Sequence, residues 1–220
     1  MKEKKLLSLL LCAVLVLSGI SFTAAAAESG AENSWVNPYS DVAEGSWYYD
    51  SVSYLSSRGL MNGVGGGRFV PGGSMTRGMA VTVLKRLSGD DGSYTGGFAD
   101  VPAGAWYENA VSWASAKGIV NGIGGGKFAP ENPVTREQLA IMLWNYAKYM
   151  GYDVSVGEDT NILSYDDAFD ISDCAYPALQ WACGAGIMEG DGYGNLNPGD
   201  PASRAEVSQL IAGFIQIMAK

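Results

Sequence analysis

The chain has 220 residues, of which 47% are hydrophobic, 17% charged and 11% aromatic. This describes one large folded domain or two ordinary ones rather than a disordered tail. Fourteen basic against 23 acidic residues give a formal charge of −9, which argues against nucleic acid because phosphate backbones are held by basic surfaces. Histidine is absent, so Ser-His-Asp triads, Cys-His dyads and histidine-ligated metal sites are excluded together; no metal and no cofactor is expected.

Residues 1–27 read as a secretory signal peptide. Lys2, Lys4 and Lys5 form a basic start, Leu6 to Leu17 an apolar run, and Ala24 to Ala27 supply small residues for cleavage. The run is shorter than the roughly 20 residues of a membrane span. Cys12 lies inside it behind Leu9-Leu10-Leu11 rather than after a small residue at its end, which speaks against lipidation. Removal leaves 11 basic and 22 acidic residues, a charge of −11. The product is an exported, acidic protein with no membrane span. Cys174 and Cys183 then remain, and nine helical steps would separate them by about 13.5 Å, against the limit of about 7 Å for a disulfide. A bridge requires Cys174 to fold back ahead of the helix that Pro177 opens, so two free thiols are the expected state.

The rest of the chain repeats itself. Trp47-Tyr48 through Thr76-Arg77 matches Trp106-Tyr107 through Thr135-Arg136 at a constant offset of 59. A third copy follows at an offset of 68, with Trp181-Ala182 answering Trp113-Ala114, then Gly186 to Gly190, Pro198 and Ser203-Arg204. The repeats are placed at 36–96, 97–160 and 161–220, with boundaries at Asp90–Tyr94 and Gly151–Asn161, rich in Gly, Ser, Thr and Asp. Each copy reads as helix, glycine loop, helix, so the fold class is all-α. In the second copy Trp106, Ala110, Trp113 and Ala114 recur at helical spacing, and Gly118 follows as a C′ glycine with Ile119 placed for the accompanying apolar contact. The second helix starts at Thr135 and carries a stripe of Leu139, Met142, Leu143, Tyr146, Ala147 and Met150.

The start of each second helix holds the sharpest local chemistry. Thr135-Arg136-Glu137-Gln138 and Ser203-Arg204-Ala205-Glu206 fit the capping box; Thr76-Arg77-Gly78-Met79 keeps the cap and lacks the partner three residues on. Each arginine falls at N1, where the helix dipole already presents positive charge. Two readings follow. Arginine and free helix amides form a site for a carboxylate or phosphate, or each arginine pairs internally with Asp41, Asp100 or Asp167.

These repeats resemble S-layer homology modules, which come in threes. The residues that carry the likeness are Asp41-Val42, Trp47-Tyr48, Gly59 to Gly63, Phe69, Pro71 and Thr76-Arg77. In the second copy they are Phe98-Ala99-Asp100-Val101, Trp106-Tyr107, Gly118 to Gly122, Phe128, Pro130 and Thr135 to Gln138. In the third they are Tyr165-Asp166-Asp167, Trp181-Ala182, Gly186 to Gly190, Pro198 and Ser203 to Glu206. The resemblance implies an all-helical, pseudo-threefold, three-pronged assembly. It also implies a non-catalytic module at the cell wall or S-layer that binds secondary cell-wall polysaccharide, often pyruvylated, with other envelope proteins as further partners. The family's recognition residues map onto Arg77, Arg136 and Arg204, with Asp41, Asp100 and Asp167 as supporting acids. Trp47 and Trp106 fall near the grooves, and Thr76, Thr135 and Ser203 are the hydroxyl caps beside the arginines. Gly78-Met79 departs from the family pattern in the first groove, and Cys174 replaces a tryptophan in the third. Arg136 is expected to be the best-preserved site.

Rival readings fit less well. Gly122 to Lys127 imitates a phosphate loop, but Asn121 stands at the first required glycine and Phe128 at the magnesium-binding hydroxyl. Asp191–Asn197 lacks the central glycine and the bidentate acid of a calcium loop. A two-carboxylate glycosidase would have to use Glu108 or Glu131, neither of which has an acidic counterpart in all copies. An exported module that docks a basic protein partner through its acidic surface stays open.

Overall fold

The computed structural model describes residues 35–218 apart from 156 and 158. Residues 1–27, read above as a signal peptide, lie outside the described residues, and Cys12 with them. Among the described residues six α-helices follow one another: α1 (Tyr49–Ser57), α2 (Arg77–Ser88), α3 (Glu108–Ala116), α4 (Arg136–Tyr149), α5 (Tyr176–Gly184) and α6 (Arg204–Met218). Among the described residues there is no strand, only isolated bridges, so the protein is all-α as its repeat pattern predicts.

Local signals place the helix ends. Gly118 at φ 69° stops α3. Its N–H reaches Ser115 O and the Ile119 N–H reaches Ala114 O, the paired bonds of a Schellman end. Gly59 and Gly186 repeat this at φ 67° and 70°. Gly122 has a different reason to be glycine: a Cβ there would collide with the Lys127 carbonyl and the Phe98 ring. Gly63 meets Tyr39, and Gly190 meets Tyr165, in the same way. Thr135 caps α4, with the full capping box to Gln138; Thr76 caps α2 alone.

The helices pair across repeats rather than within them. The packed pairs are α2 with α3, α4 with α5, and α1 with α6. Each second helix therefore buries its stripe against the first helix of the next copy, and the last copy returns to the first. Backbone bonds close the same cycle: the N–H of Met75 donates to Ala202 O, that of Ala202 to Val134 O, and that of Val134 to Met75 O. Most of the expected α4 stripe is buried, with Leu139, Leu143 and Ala147 at 0% exposure. Each leucine contributes about 2–3 kcal/mol by leaving water.

Two expectations shift. Trp106 is not on the α3 face, because the helix starts two residues later, and its ring is 58% exposed. Ala110, Trp113 and Ala114 carry that face without it. Met150 is the exposed C-cap of α4 rather than part of its stripe. Side chains hold the boundary segment Asp90–Tyr94. The Asp90 carboxylate accepts from the Tyr94 hydroxyl at 3.0 Å and the Trp113 indole at 3.1 Å. Cys174 and Cys183 are free, Cys174 exposed just ahead of α5, and burial pushes the Cys183 thiol up to about 11.

Gly122→Ala is expected to cost about 1–3 kcal/mol through overpacking. Urea unfolding midpoints measure this; a variant as stable as the parent would contradict the close approach of Phe98.

Candidate functional site

The three N1 arginines do the same thing in each copy, and it is not the internal ion pair that one of the two sequence readings offered. Arg77 donates from Nε to Phe128 O at 2.9 Å and from Nη2 to Asn121 O at 3.2 Å. Arg136 repeats this on Leu196 O and Glu189 O, both at 2.8 Å. Arg204 repeats it on Phe69 O and Asn62 O, both at 2.7 Å. Every arginine thus reaches from its own helix into the glycine loop of the next repeat. Arg77 and Arg204 also lie over the rings of Phe128 and Phe69, with the guanidinium carbon 4.5 and 4.4 Å from the centroids, a cation–π distance. Leu196 replaces the ring beneath Arg136. Arg77 and Arg204 are 5% and 6% exposed, and burial pulls both guanidinium pKa values down. They stay charged all the same.

Asp41, Asp100 and Asp167 grip the other side of the same peptides. Asp100 accepts from the N–H groups of Phe128 and Ala129, both at 2.8 Å. Asp41 does so for Phe69 and Val70, and Asp167 for Leu196 and Asn197. The second residue of each pair has a left-handed backbone: Val70 at φ 58°, Ala129 at 58° and Asn197 at 53°. For a β-branched valine this conformation is a genuine outlier, costing about 1–3 kcal/mol. The carboxylate clamps the strained turn from one side while arginine holds the preceding carbonyl from the other. Burial opposes ionisation of Asp41 and Asp100, but the N–H donors outweigh it, so both pKa values lie below the ordinary carboxylate value. Among the described residues the ion pairs are Arg68–Asp41 at 3.6 Å and Arg136–Glu206 at 3.5 Å. The internal pairing of Asp41, Asp100 and Asp167 with the N1 arginines, one of the two readings, is therefore replaced by a peptide gripped from both faces.

The hydroxyl caps are occupied as well. Thr76, Thr135 and Ser203 accept from the N–H groups of Met79, Gln138 and Glu206. The N3 side chains have a second task that the repeat pattern does not reveal: Gln138 Oε1 also accepts from Arg77 Nη1 at 3.0 Å, and Glu206 Oε1 pairs with Arg136 Nη1.

One groove of about 320 Å³ brings predicted residues together. The loop at Asn62 and Val64 and the helix residues Met79 and Arg86 come from the first repeat. Trp106 is supplied by the second, and Arg204 by the third. All three copies thus build one site. Asp41 and Thr76 do not line it; they hold its walls. Met61, Met75 and Arg86 do line it; Met61 falls within the repeated Gly59 to Gly63 motif, whereas Arg86 answers to Asn145 and Gly213 and so leaves no repeated signature. Trp47, the counterpart of Trp106, is 62% exposed, whereas Trp113 and Trp181 are buried. These four tryptophans thus divide into two surface platforms and two core residues. Asp191, considered for calcium, spends its carboxylate on the N–H groups of Tyr193 and Asn195 and the amide of Asn195.

The sequence model described as the S-layer homology domain matches residues 38–80, 97–140 and 164–208. An endoglucanase of Bacillus sp. (strain KSM-635) is 30% identical over 215 residues, which is 96% of this chain and 22% of that protein. The surface-layer 125 kDa protein of Lysinibacillus sphaericus is 25% identical over 218 residues, covering 98% and 17%. An S-layer protein of Bacillus thuringiensis subsp. finitimus is 30% identical over 142 residues, covering 64% and 16%. The chain spans less than a quarter of the length of each of these relatives.

Asp41 and Asp100 contribute stability that is full above the ordinary carboxylate pKa of about 4 and lost as pH falls through their lower folded values. Thermal melts between pH 7 and 2 are expected to fall below about pH 4, and Asp100→Asn to flatten that limb. Arg77→Ala, which strands the carbonyls of Phe128 and Asn121, is expected to cost about 3 kcal/mol. An Arg77→Ala protein that melts with the parent would remove arginine from the framework.

Proposed function

The chain belongs to the S-layer homology domain family, and from that membership we propose that it attaches non-covalently, as a non-catalytic binding module, to secondary cell-wall polysaccharide. Its place is the cell wall or S-layer. The observation that supports the ligand reading is the groove in which the exposed Trp106 stands with the buried Arg204. An indole offers an apolar plane with a polar edge, suited to the C–H face of a pyranose. A guanidinium is the preferred partner of a carboxylate. A pyruvylated sugar carries both features, so a pyruvylated wall polymer is the ligand class proposed.

In this reading Arg204 and Trp106 contact the polymer, and Arg77 and Arg136 hold the corresponding positions of the other two grooves. Trp47 answers to Trp106 in the groove of Arg136, and Cys174 in that of Arg77. Asp41, Asp100 and Asp167 keep the loops in shape, and Thr76, Thr135 and Ser203 set the helix starts.

The test is sedimentation of the purified protein with native sacculi and with sacculi stripped of secondary polymer. Trp106→Ala suits this test better than an arginine variant, since an exposed ring can be removed within about 0.5 kcal/mol of stability. It is expected to weaken binding about tenfold, or about 1.4 kcal/mol. Equal binding to stripped and native sacculi would overturn the proposal.

A further inference from the structure

The geometry points to the N3 residue of each second helix as the selector of which groove accepts an anion, and to the first groove, where that residue is Met79, as the one open to a carboxylate-bearing sugar. This rests on the wall-polymer reading above and assigns that ligand one groove and one deciding residue.

Each N1 arginine has three donor groups. In all three copies Nε and Nη2 are consumed by carbonyls of the neighbouring loop. The third, Nη1, meets the N3 side chain: Gln138 for Arg77 and Glu206 for Arg136. For Arg204 this place falls to Met79, whose thioether is at best a weak acceptor. Among the described residues nothing accepts from Arg204 Nη1. The side chain is 6% exposed and lines the groove, so a buried cation presents an unused donor to an accessible space. Facing the groove, this edge is left to water, and a carboxylate that enters replaces that water with a charge-assisted bond.

The surroundings suit that anion. No carboxylate lines the groove, and Arg86 adds a second cation at its exposed side. On a chain of formal charge −9 this is a local positive site. Met61, Met75 and Met79 supply polarisable apolar walls and Trp106 an exposed plane, which fits a carboxylate carried on a sugar better than free phosphate. The other two grooves lack this opening. At Arg136 the Glu206 carboxylate already holds Nη1 and would repel an incoming carboxylate. At Arg77 the Gln138 amide occupies Nη1, and Cys174 stands at the tryptophan position. The first groove, whose N3 residue departs from the capping-box pattern, is therefore the anion receptor.

Met79→Gln and Met79→Glu reproduce the residues found at N3 in the other copies and complete a capping box with Thr76, so both variants should fold at least as well as the parent. Isothermal titration with secondary polysaccharide released from native sacculi is expected to give one carboxylate-dependent site per chain. Met79→Gln should weaken it about threefold, and Met79→Glu, which adds like charge, more than tenfold. Mild acid, which removes ketals, and carboxyl reduction, which also neutralises uronic acids, separate the two sources of carboxylate. Loss of binding after both treatments assigns a ketal, and loss after reduction alone assigns a uronate; either supports the inference. Polymer that binds as well after reduction overturns it. A parent that binds polymer while Met79→Glu binds equally overturns the selector and leaves the wall-polymer reading standing. A parent that binds no native polymer overturns both.

Discussion

The structure depends on a guanidinium placed where a helix least favours one. At N1 the dipole and the free N–H groups already present positive charge, yet Arg77, Arg136 and Arg204 all stand there. Their charge is carried away from the helix and spent on carbonyls of the neighbouring repeat. Charge-assisted bonds of this kind are stronger than neutral ones, and in a dry setting neither end can be abandoned cheaply. Each arginine therefore locks the register between two copies. Because the third reaches back to the first, the lock closes on itself.

That closure explains why neither helix of a repeat can be judged alone. A helix hairpin would bury its stripes internally, but here α2 rests on α3, α4 on α5 and α6 on α1. No single repeat owns a complete core, a property shared with other repeat architectures. The strained residues Val70, Ala129 and Asn197 fit the same logic. Their left-handed backbones turn one peptide so that its N–H faces an aspartate of its own repeat and its carbonyl faces the arginine of the preceding one. The local cost is offset by the link it makes possible. The groove inherits this organisation, since its loop, its aromatic plane and its cation come from three different copies.

Small departures between copies then acquire functional weight. Gln138 and Glu206 are capping residues by motif, yet each also neutralises an arginine edge. Met79 breaks the capping box and frees that edge with the same change. Stability of a helix start and availability of a cation are thus coupled through one side chain, which is why a residue that weakens the local motif can define the site.

Much of this was legible in the sequence. The constant offset marks three copies, the C′ glycines mark the ends of the first helices, and Thr-Arg or Ser-Arg marks the start of the second, because such signals act within a few residues along the chain. The partners of the arginines were not legible. Asp41, Asp100 and Asp167 are the nearest acids by charge and pattern, but backbone carbonyls carry no side-chain signature, and Phe69 lies 135 positions from Arg204. Trp47 and Trp106 could not be told from Trp113 and Trp181 by type; a two-residue delay in the start of a helix put one pair outside and left the other in the core. The sequence by itself determined the helices, their caps and their threefold repetition, since local hydrogen bonding and apolar spacing suffice for those. Only the tertiary structure decided which repeat each helix serves and which arginine keeps a free edge, because both are set by contacts between residues far apart in the chain.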